Sequence, residues 1–253
     1  ENGYFTTLGR GGSDTTASIL GVMLDAERIE IYTDVDGVMT ADPRIVKSAS
    51  VIDIISYDEV FQLADQGSKV IHPRAVEYAR EGNIPIMIKN TLNDTIGTLI
   101  NSVGDRKRRR LITSITNHDD RIQVTINLDD NKGNDRYNDV LEILAANKIS
   151  LDLINIFPRQ QVFTISKAAK DIVKDIFGKL DLKYTLIDNC STIALVGAGM
   201  KGIPGVMAKI YKTLSESNIE VLQTADSHMT IWCLIHTENL EKAINALHKA
   251  FKL

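Results

Sequence analysis

The second half of this chain is written twice. Asn147-Lys148-Ile149-Ser150-Leu151 returns as Ser217-Asn218-Ile219-Glu220-Val221, an offset of 70 residues, and at that offset Val140 meets Ile210, Leu144 meets Leu214 and Ile126 meets Val196. A repeat of that length is one supersecondary unit used twice. Each copy reads strand, loop, amphipathic helix, strand, strand, helix, which predicts two ferredoxin-like α+β modules. Two unrelated α+β units are the plainer alternative.

The first hundred residues follow another rhythm. Thr16 to Ala26 reads as a helix with Ile19, Leu20, Met23 and Leu24 on one apolar face, and Arg28 to Thr33 as a strand. Ser56 and Glu59 fit a capping box opening a helix that runs to about Asp65 and stops at Gly67. Pro73 suits the first turn of a further helix carrying Ala75, Val76 and Ala79 and ending at Gly82, and Ile84 to Ile88 is an apolar strand. Strands alternating with helices predict an α/β layer with a mainly parallel sheet. Loop chemistry from Asn90 to Gly97 and the charged stretch Asp105 to Arg110 mark a boundary. The expected division is 1–104, a basic linker 105–110, a first module 111–188 and a second 189–253.

Two segments carry chemistry. Thr6-Thr7-Leu8-Gly9-Arg10-Gly11-Gly12-Ser13-Asp14-Thr15-Thr16-Ala17 is a glycine-rich loop with a cation inside it, running into a small-residue helix. Glycines let the backbone approach a ligand, Ser13, Asp14 or Thr15 can cap the helix, and helix-start N–H groups favour an anion. Arg10 adds a fork that grips a carboxylate or phosphate. A plain strand–turn–helix junction uses the same residues. The second segment, Ile29 to Arg44, begins as a strand, breaks at Asp36-Gly37, and leaves Asp34, Asp36, Asp42 and Arg44 beyond the strand's carboxyl end. Ligands of open α/β sheets bind at that edge, although Asp-Gly and Asp-Pro are also ordinary turns.

Composition removes several classes. A net charge of -4 gives no bulk attraction to nucleic acid, and the run Arg106-Lys107-Arg108-Arg109-Arg110 reads as a solvated linker or interdomain surface. Cys190 and Cys233 match no metal or redox spacing and are expected as buried thiols in a reducing cytoplasm. No apolar run is long enough to span a membrane, and no signal peptide is read.

The pairing of the two segments, with Gly67-Ser68-Lys69-Val70-Ile71-His72-Pro73-Arg74-Ala75 as a third, resembles the aspartokinases. The resemblance covers essentially all 253 residues. It implies the C-terminal part of an α/β amino-acid-kinase-like domain followed by two α+β ferredoxin-like ACT domains, one inserted into the other, so that the last helix is a candidate to pack on the first module. It implies transfer of a phosphoryl group from ATP, with Mg²⁺, to the side-chain carboxylate of L-aspartate. Arg10, Gly11, Gly12 and Ser13 match the aspartate-binding loop, and Asp14 matches the residue that orients the catalytic lysine. Thr33, Asp34, Met39, Thr40, Ala41, Asp42, Pro43, Arg44 and Lys69 match nucleotide contacts. His72 reads as structural, and Mg²⁺ is expected to have few protein ligands. The Lys-Phe-Gly-Gly-Thr-Ser element of the family, which supplies that lysine, has no match here, so the chain alone is expected to be inactive.

For the repeat, the resemblance implies an amino-acid effector, lysine or diaminopimelate, held by Met200, Gly205, Val206, Asn218 and Ile219. It also implies a homo-oligomer built through the ACT modules. Gly197-x-Gly199-x-x-Gly202 satisfies a dinucleotide fingerprint, but the unit is β-α-β-β and the acidic partner about 20 residues on is missing. In the first module, Asn134-Asp135-Arg136-Tyr137-Asn138 lacks the usual Pro-Gly, and Ile156 stands where many relatives have glutamine, implying an altered site. The segment Leu222 to Trp232 resembles the diaminopimelate-inhibited type, with His228 and Trp232 expected at an ACT–ACT interface. A non-catalytic, amino-acid-sensing regulatory subunit is the alternative reading.

Overall fold

The computed structural model describes residues 8–105, 110–133, 135–200 and 202–253. Thr6, Thr7, Asn134, Lys201 and most of the basic run, residues 106–109, lie outside the described residues.

The first part contains α1 (Gly12–Met23), β1 (Ile29–Thr33), β2 (Ile54–Ser56), α2 (Tyr57–Asp65), α3 (Pro73–Gly82), β3 (Ile86–Asn90) and β4 (Thr98–Asn101). The sheet order is β1-β3-β4-β2, with β1/β3 and β4/β2 parallel and β3/β4 antiparallel. The capping box forms, Ser56 Oγ accepting from Glu59 N while Glu59 Oε2 accepts from Ser56 N. Two short strands, β2 and β4, carry too few residues to show a period and escaped the sequence reading.

Helix α1 departs from expectation in two ways. It begins at Gly12, with Gly11 as N-cap and no side-chain cap. Ser13, Asp14 and Thr15 are already inside the first turn, and the Thr15 and Thr16 hydroxyls donate back to the carbonyls of Gly11 and Gly12. Its buried face is Thr15, Ser18 and Gly21, while Leu20, Met23 and Leu24 are exposed. Small residues win that face because the helix sits very close to its neighbours: a Cβ on Gly21 would overlap Ile29.

The second part contains β5 (Ser114–Asn127), α4 (Val140–Ala146), β6 (Asp152–Phe157), β7 (Gln160–Ser166), α5 (Lys170–Lys179), β8 (Thr185–Val196), α6 (Val206–Glu216), β9 (Gln223–Asp226), β10 (Thr230–His236) and α7 (Leu240–Phe251). They form one antiparallel sheet in the order β6-β7-β5-β8-β10-β9. The repeat is visible in detail. Both α4 and α6 end on a left-handed residue, Lys148 (φ 58°) and Asn218 (φ 53°), and Ile149 N and Ile219 N each reach back 3.0 Å to Leu144 and Leu214 carbonyls, as a Schellman-type helix end does.

One strand segment crosses from the first copy to the second. Register breaks between His118 and Arg121 divide β5. Arg121–Asn127 lies between β7 and the first half of β8, completing a 4-1-3-2 sheet for the first copy. Ser114–His118 pairs with the second half of β8 and becomes the fourth strand of the second copy. The segment 189–253 therefore lacks one of its own four strands. Helix α7, a candidate for the first module, packs instead on the second core with Ile193, Leu195, Ile210 and Leu214. What crosses between the modules is a strand, because only a strand can complete an open sheet edge.

Helix α2 joins the two parts. Glu59, 6% exposed, accepts from Thr113 Oγ1 (2.6 Å) and Ala198 N (3.1 Å), and Gln62 Oε1 accepts from Thr230 Oγ1 (3.2 Å). Trp232 Nε1 donates to Gln66 Oε1 at 2.8 Å. Trp232 thus lies between α2 and β10 and not between ACT modules, since its indole N–H finds its acceptor on α2.

Candidate functional site

The first part builds one edge at which chain ends converge. Gly21, near the end of α1, lies on Ile29, the first residue of β1, so α1 starts at the carboxyl end of β1. Helices α1 and α3 run side by side and parallel: Gly11 presses on the His72 ring at their starts, and Gly82 on Val22 at their ends. Strands β1 and β3 are parallel, with Thr33 opposite Asn90. Two helix amino ends and two strand carboxyl ends therefore share one edge, which favours an anionic ligand.

Arg10 is exposed on the bend between Gly9 (φ 78°) and Gly11 (φ 68°). Asp14 Oδ2 accepts from His72 N at 3.3 Å, and His72 Nδ1 accepts from Arg74 N, capping α3. His72 is thus structural, and Asp14 fixes the glycine loop to the α2–α3 loop. Thr33 Oγ1 donates to Asp34 Oδ1 (3.2 Å). Asp36, one of the charged residues beyond the end of β1, accepts from the side-chain amides of Asn93 (2.9 Å) and Asn90 (2.6 Å), which hold its carboxyl below the usual range.

The Met39–Arg44 segment splits in two. Asp42 and Arg44 form a two-point pair, Arg44 Nε to Oδ1 at 3.0 Å and Nη2 to Oδ2 at 2.6 Å, which lowers the Asp42 pKa. The Lys69 charge acts on Asp42 in the same direction, more weakly. Pro43 is exposed with Arg44. Thr40 (0% exposed) and Ala41 (3%) are turned the other way and belong to the interior against the second module, as does the Met39 carbonyl, which accepts from Ser114 Oγ. Their side chains are unavailable to a nucleotide, because packing against β5 and α7 has already buried them. Among the described residues, no group of three or more His, Cys, Asp or Glu is arranged to hold a metal. Both thiols are buried and unbridged.

A second cleft, of about 680 Å³, lies where α6 begins. Met200, Gly205 and Val206 line one side and Thr224, Asp226, Ser227 and His228 the other. Asn218 and Ile219 are not there. They follow the opposite end of α6, about 16 Å away at 1.5 Å per residue. The facing residues come from β9 and the β9–β10 turn, whose segment carried the sequence signal. His228 is exposed on that turn. Gly197 and Gly199 serve another purpose: a Cβ on either would overlap the backbone of Arg110–Ile112, which passes directly across them.

Family models match at residues 1–90, the amino acid kinase family, and at residues 185–249, an ACT domain. A kinase-type α/β segment followed by ACT-type modules defines the class. Over the whole chain, Aspartokinase 1 of Bacillus subtilis is 42% identical across 258 residues, covering 64% of that protein. The aspartate kinase of Clostridium acetobutylicum superposes with a TM-score of 0.87 at 29% identity, over 97% of this chain and 59% of that one. Escherichia coli aspartokinase III bound to aspartate and ADP superposes at 0.80 and 28% identity, over 98% and 57%; its lysine and aspartate complex does so at 0.77 and 28%, over 97% and 56%. The chain belongs to the aspartokinase family and spans somewhat under two thirds of the length of these relatives.

Proposed function

We propose that the complete protein is an aspartate kinase, transferring the ATP γ-phosphoryl group to the side-chain carboxylate of L-aspartate to give 4-phospho-L-aspartate. This would be the first step toward lysine, diaminopimelate, threonine and methionine, carried out in the cytoplasm. The observation that carries the reading is the edge where Arg10, the glycine loop, the start of α3 and the ends of β1 and β3 converge. Residues 1–104 belong to the catalytic part and 111–253 to the regulatory part, joined by 105–110. A purely regulatory subunit leaves the kinase-family match at 1–90 without a purpose.

Arg10, with the N–H groups of Gly11 and Ser13 on either side of Gly12, whose own N–H closes the turn on the Gly9 carbonyl, holds an aspartate carboxylate, and Asp14 orients the catalytic lysine. Thr33, Asp34, Met39, Asp42, Pro43, Arg44 and Lys69 border the nucleotide. Phosphoryl transfer needs positioning and charge neutralisation above all, and this edge is built from cations and N–H groups. Mg²⁺ supplies further charge neutralisation on the ATP phosphates. Asp36 and Asp42 are already held by amides and a guanidinium, which suits an ion that keeps most of its water. In the complete enzyme, Arg10→Ala should raise the KM for aspartate by an amount equivalent to about 2–5 kcal/mol, with the KM for ATP little changed. An unchanged aspartate KM rules out this role for Arg10.

The cleft at α6 would hold an end-product amino acid, lysine or diaminopimelate. Its carboxylate would sit on N–H groups after Gly205 and an ammonium beside Asp226. The modules would pair two copies of the chain. Support comes from edge strand β6, where Ile154, Ile156 and Phe157 are 47%, 63% and 52% exposed and an unpaired edge invites a second sheet. Ile156→Lys should convert the dimer to monomer by light scattering at micromolar concentration; a dimer that survives places the interface elsewhere.

A further inference from the structure

The nucleotide loop is seated in the regulatory half, and its seat has a polar centre. His248 on α7 is 3% exposed, and its Nε2 lies 3.0 Å from Thr40 Oγ1. Thr40 also accepts from Ser50 N at 3.0 Å and, through its carbonyl, from Ile115 N at 2.9 Å. Val46, just past the loop, is 1% exposed in the same interior, and Asn245 Nδ2 on α7 donates to the Ile45 carbonyl at 3.1 Å. The remaining buried residues of α7 are apolar. An imidazole on such a face requires a partner for its ring nitrogens, and Thr40 faces one of them.

We infer that His248 is a positioning residue for nucleotide: from the regulatory module it fixes the inner side of the loop through Thr40, so that the outer side, Asp42–Arg44, meets ATP in one conformation. The inference rests on the reading of that loop as the nucleotide loop. It also means that the second ACT module completes the nucleotide site, since without α7 the loop loses its support. A cavity elsewhere in the molecule is not involved, and His248 touches no substrate.

The test uses the complete enzyme with ATP and aspartate varied separately, and ADP binding measured by calorimetry. His248→Leu and Thr40→Val should each raise the KM for ATP and weaken ADP about tenfold, the effect of one buried hydrogen bond. The aspartate KM should stay within about twofold, His248→Gln should restore most of the loss, and the double variant should be no worse than either single one. Arg44→Ala separates the two layers of the argument. If it weakens nucleotide while His248→Leu and Thr40→Val do not, the inference is overturned and the loop reading stands. If none of the three affects nucleotide, the loop reading falls and takes the inference with it. Equal loss for both substrates, without rescue by glutamine, would show that His248 only supports the fold and would also overturn the inference.

Discussion

Gly11→Ala should unseat the glycine loop. Gly11 holds φ at 68°, and a Cβ there would fall on the His72 ring. The left-handed backbone alone costs a non-glycine residue about 1–2 kcal/mol, and forced overlap in a packed site adds about 1–3 kcal/mol. His72 cannot step aside cheaply, because its N–H is bonded to Asp14 and its ring caps α3. We expect destabilisation of roughly 3 kcal/mol by denaturant titration, and loss of activity in the complete enzyme. Gly9→Ala is the control: its φ is 78°, but nothing lies within 4 Å of the added carbon, so only the backbone cost remains. Equal losses at the two positions would mean that the His72 ring is not pressed against the loop.

Glu59→Ala should separate the two halves. Its carboxylate accepts four hydrogen bonds, from Ser56 N, Ser56 Oγ, Thr113 Oγ1 and Ala198 N. Ala198 opens the short turn that leads into the α6 cleft, and Ile203 borders both that cleft and a cavity of about 560 Å³ beside Glu59. Removing the carboxylate leaves the part-buried Ser56 and Ala198 N–H groups without their acceptor, a loss of about 1–3 kcal/mol. Glu59→Gln should lose about half as much. Its single oxygen serves either Ser56 N or Ala198 N, and its amide then faces the other donor. In the complete enzyme, effector binding should persist while inhibition weakens. Unaltered stability together with unaltered inhibition would remove Glu59 from the joint.

These two residues mark how far local sequence reaches. The capping box at Ser56 and Glu59 was legible because both partners lie within one turn. The second oxygen of Glu59 was not, because its partner Ala198 is 139 residues away. Thr40 illustrates the same limit: within its motif it reads as a ligand contact, yet its partner stands 208 residues on. The repeat was legible since a 70-residue echo survives in every element, down to the left-handed residues that end α4 and α6. The face of α1 was misread because large apolar residues normally mark the interior, whereas here close approach selected Thr15, Ser18 and Gly21. Asn218 and Ile219 were assigned to the effector by position in the motif, and the length of α6 carries them away from the cleft.

The divided strand β5 sets an order of events for a growing chain. Synthesis releases Ser114–His118 early, but the partner residues Thr192–Val196 come only after the whole first module. The first module can close as soon as the first half of β8 has emerged, and in closing it brings the two halves of the second sheet to the same place. It acts as a folded clamp across what would otherwise be a long flexible loop, which lowers the entropic cost of joining its ends. The second module must still wait for α7, the most C-terminal of its described helices, to cover its core. Until then Ser114–His118 remains an unprotected edge, the type of surface that cross-pairs between nascent chains. The loop seated beneath α7 waits with it, so the stretch around Thr40 would take its final shape only after α7 is in place.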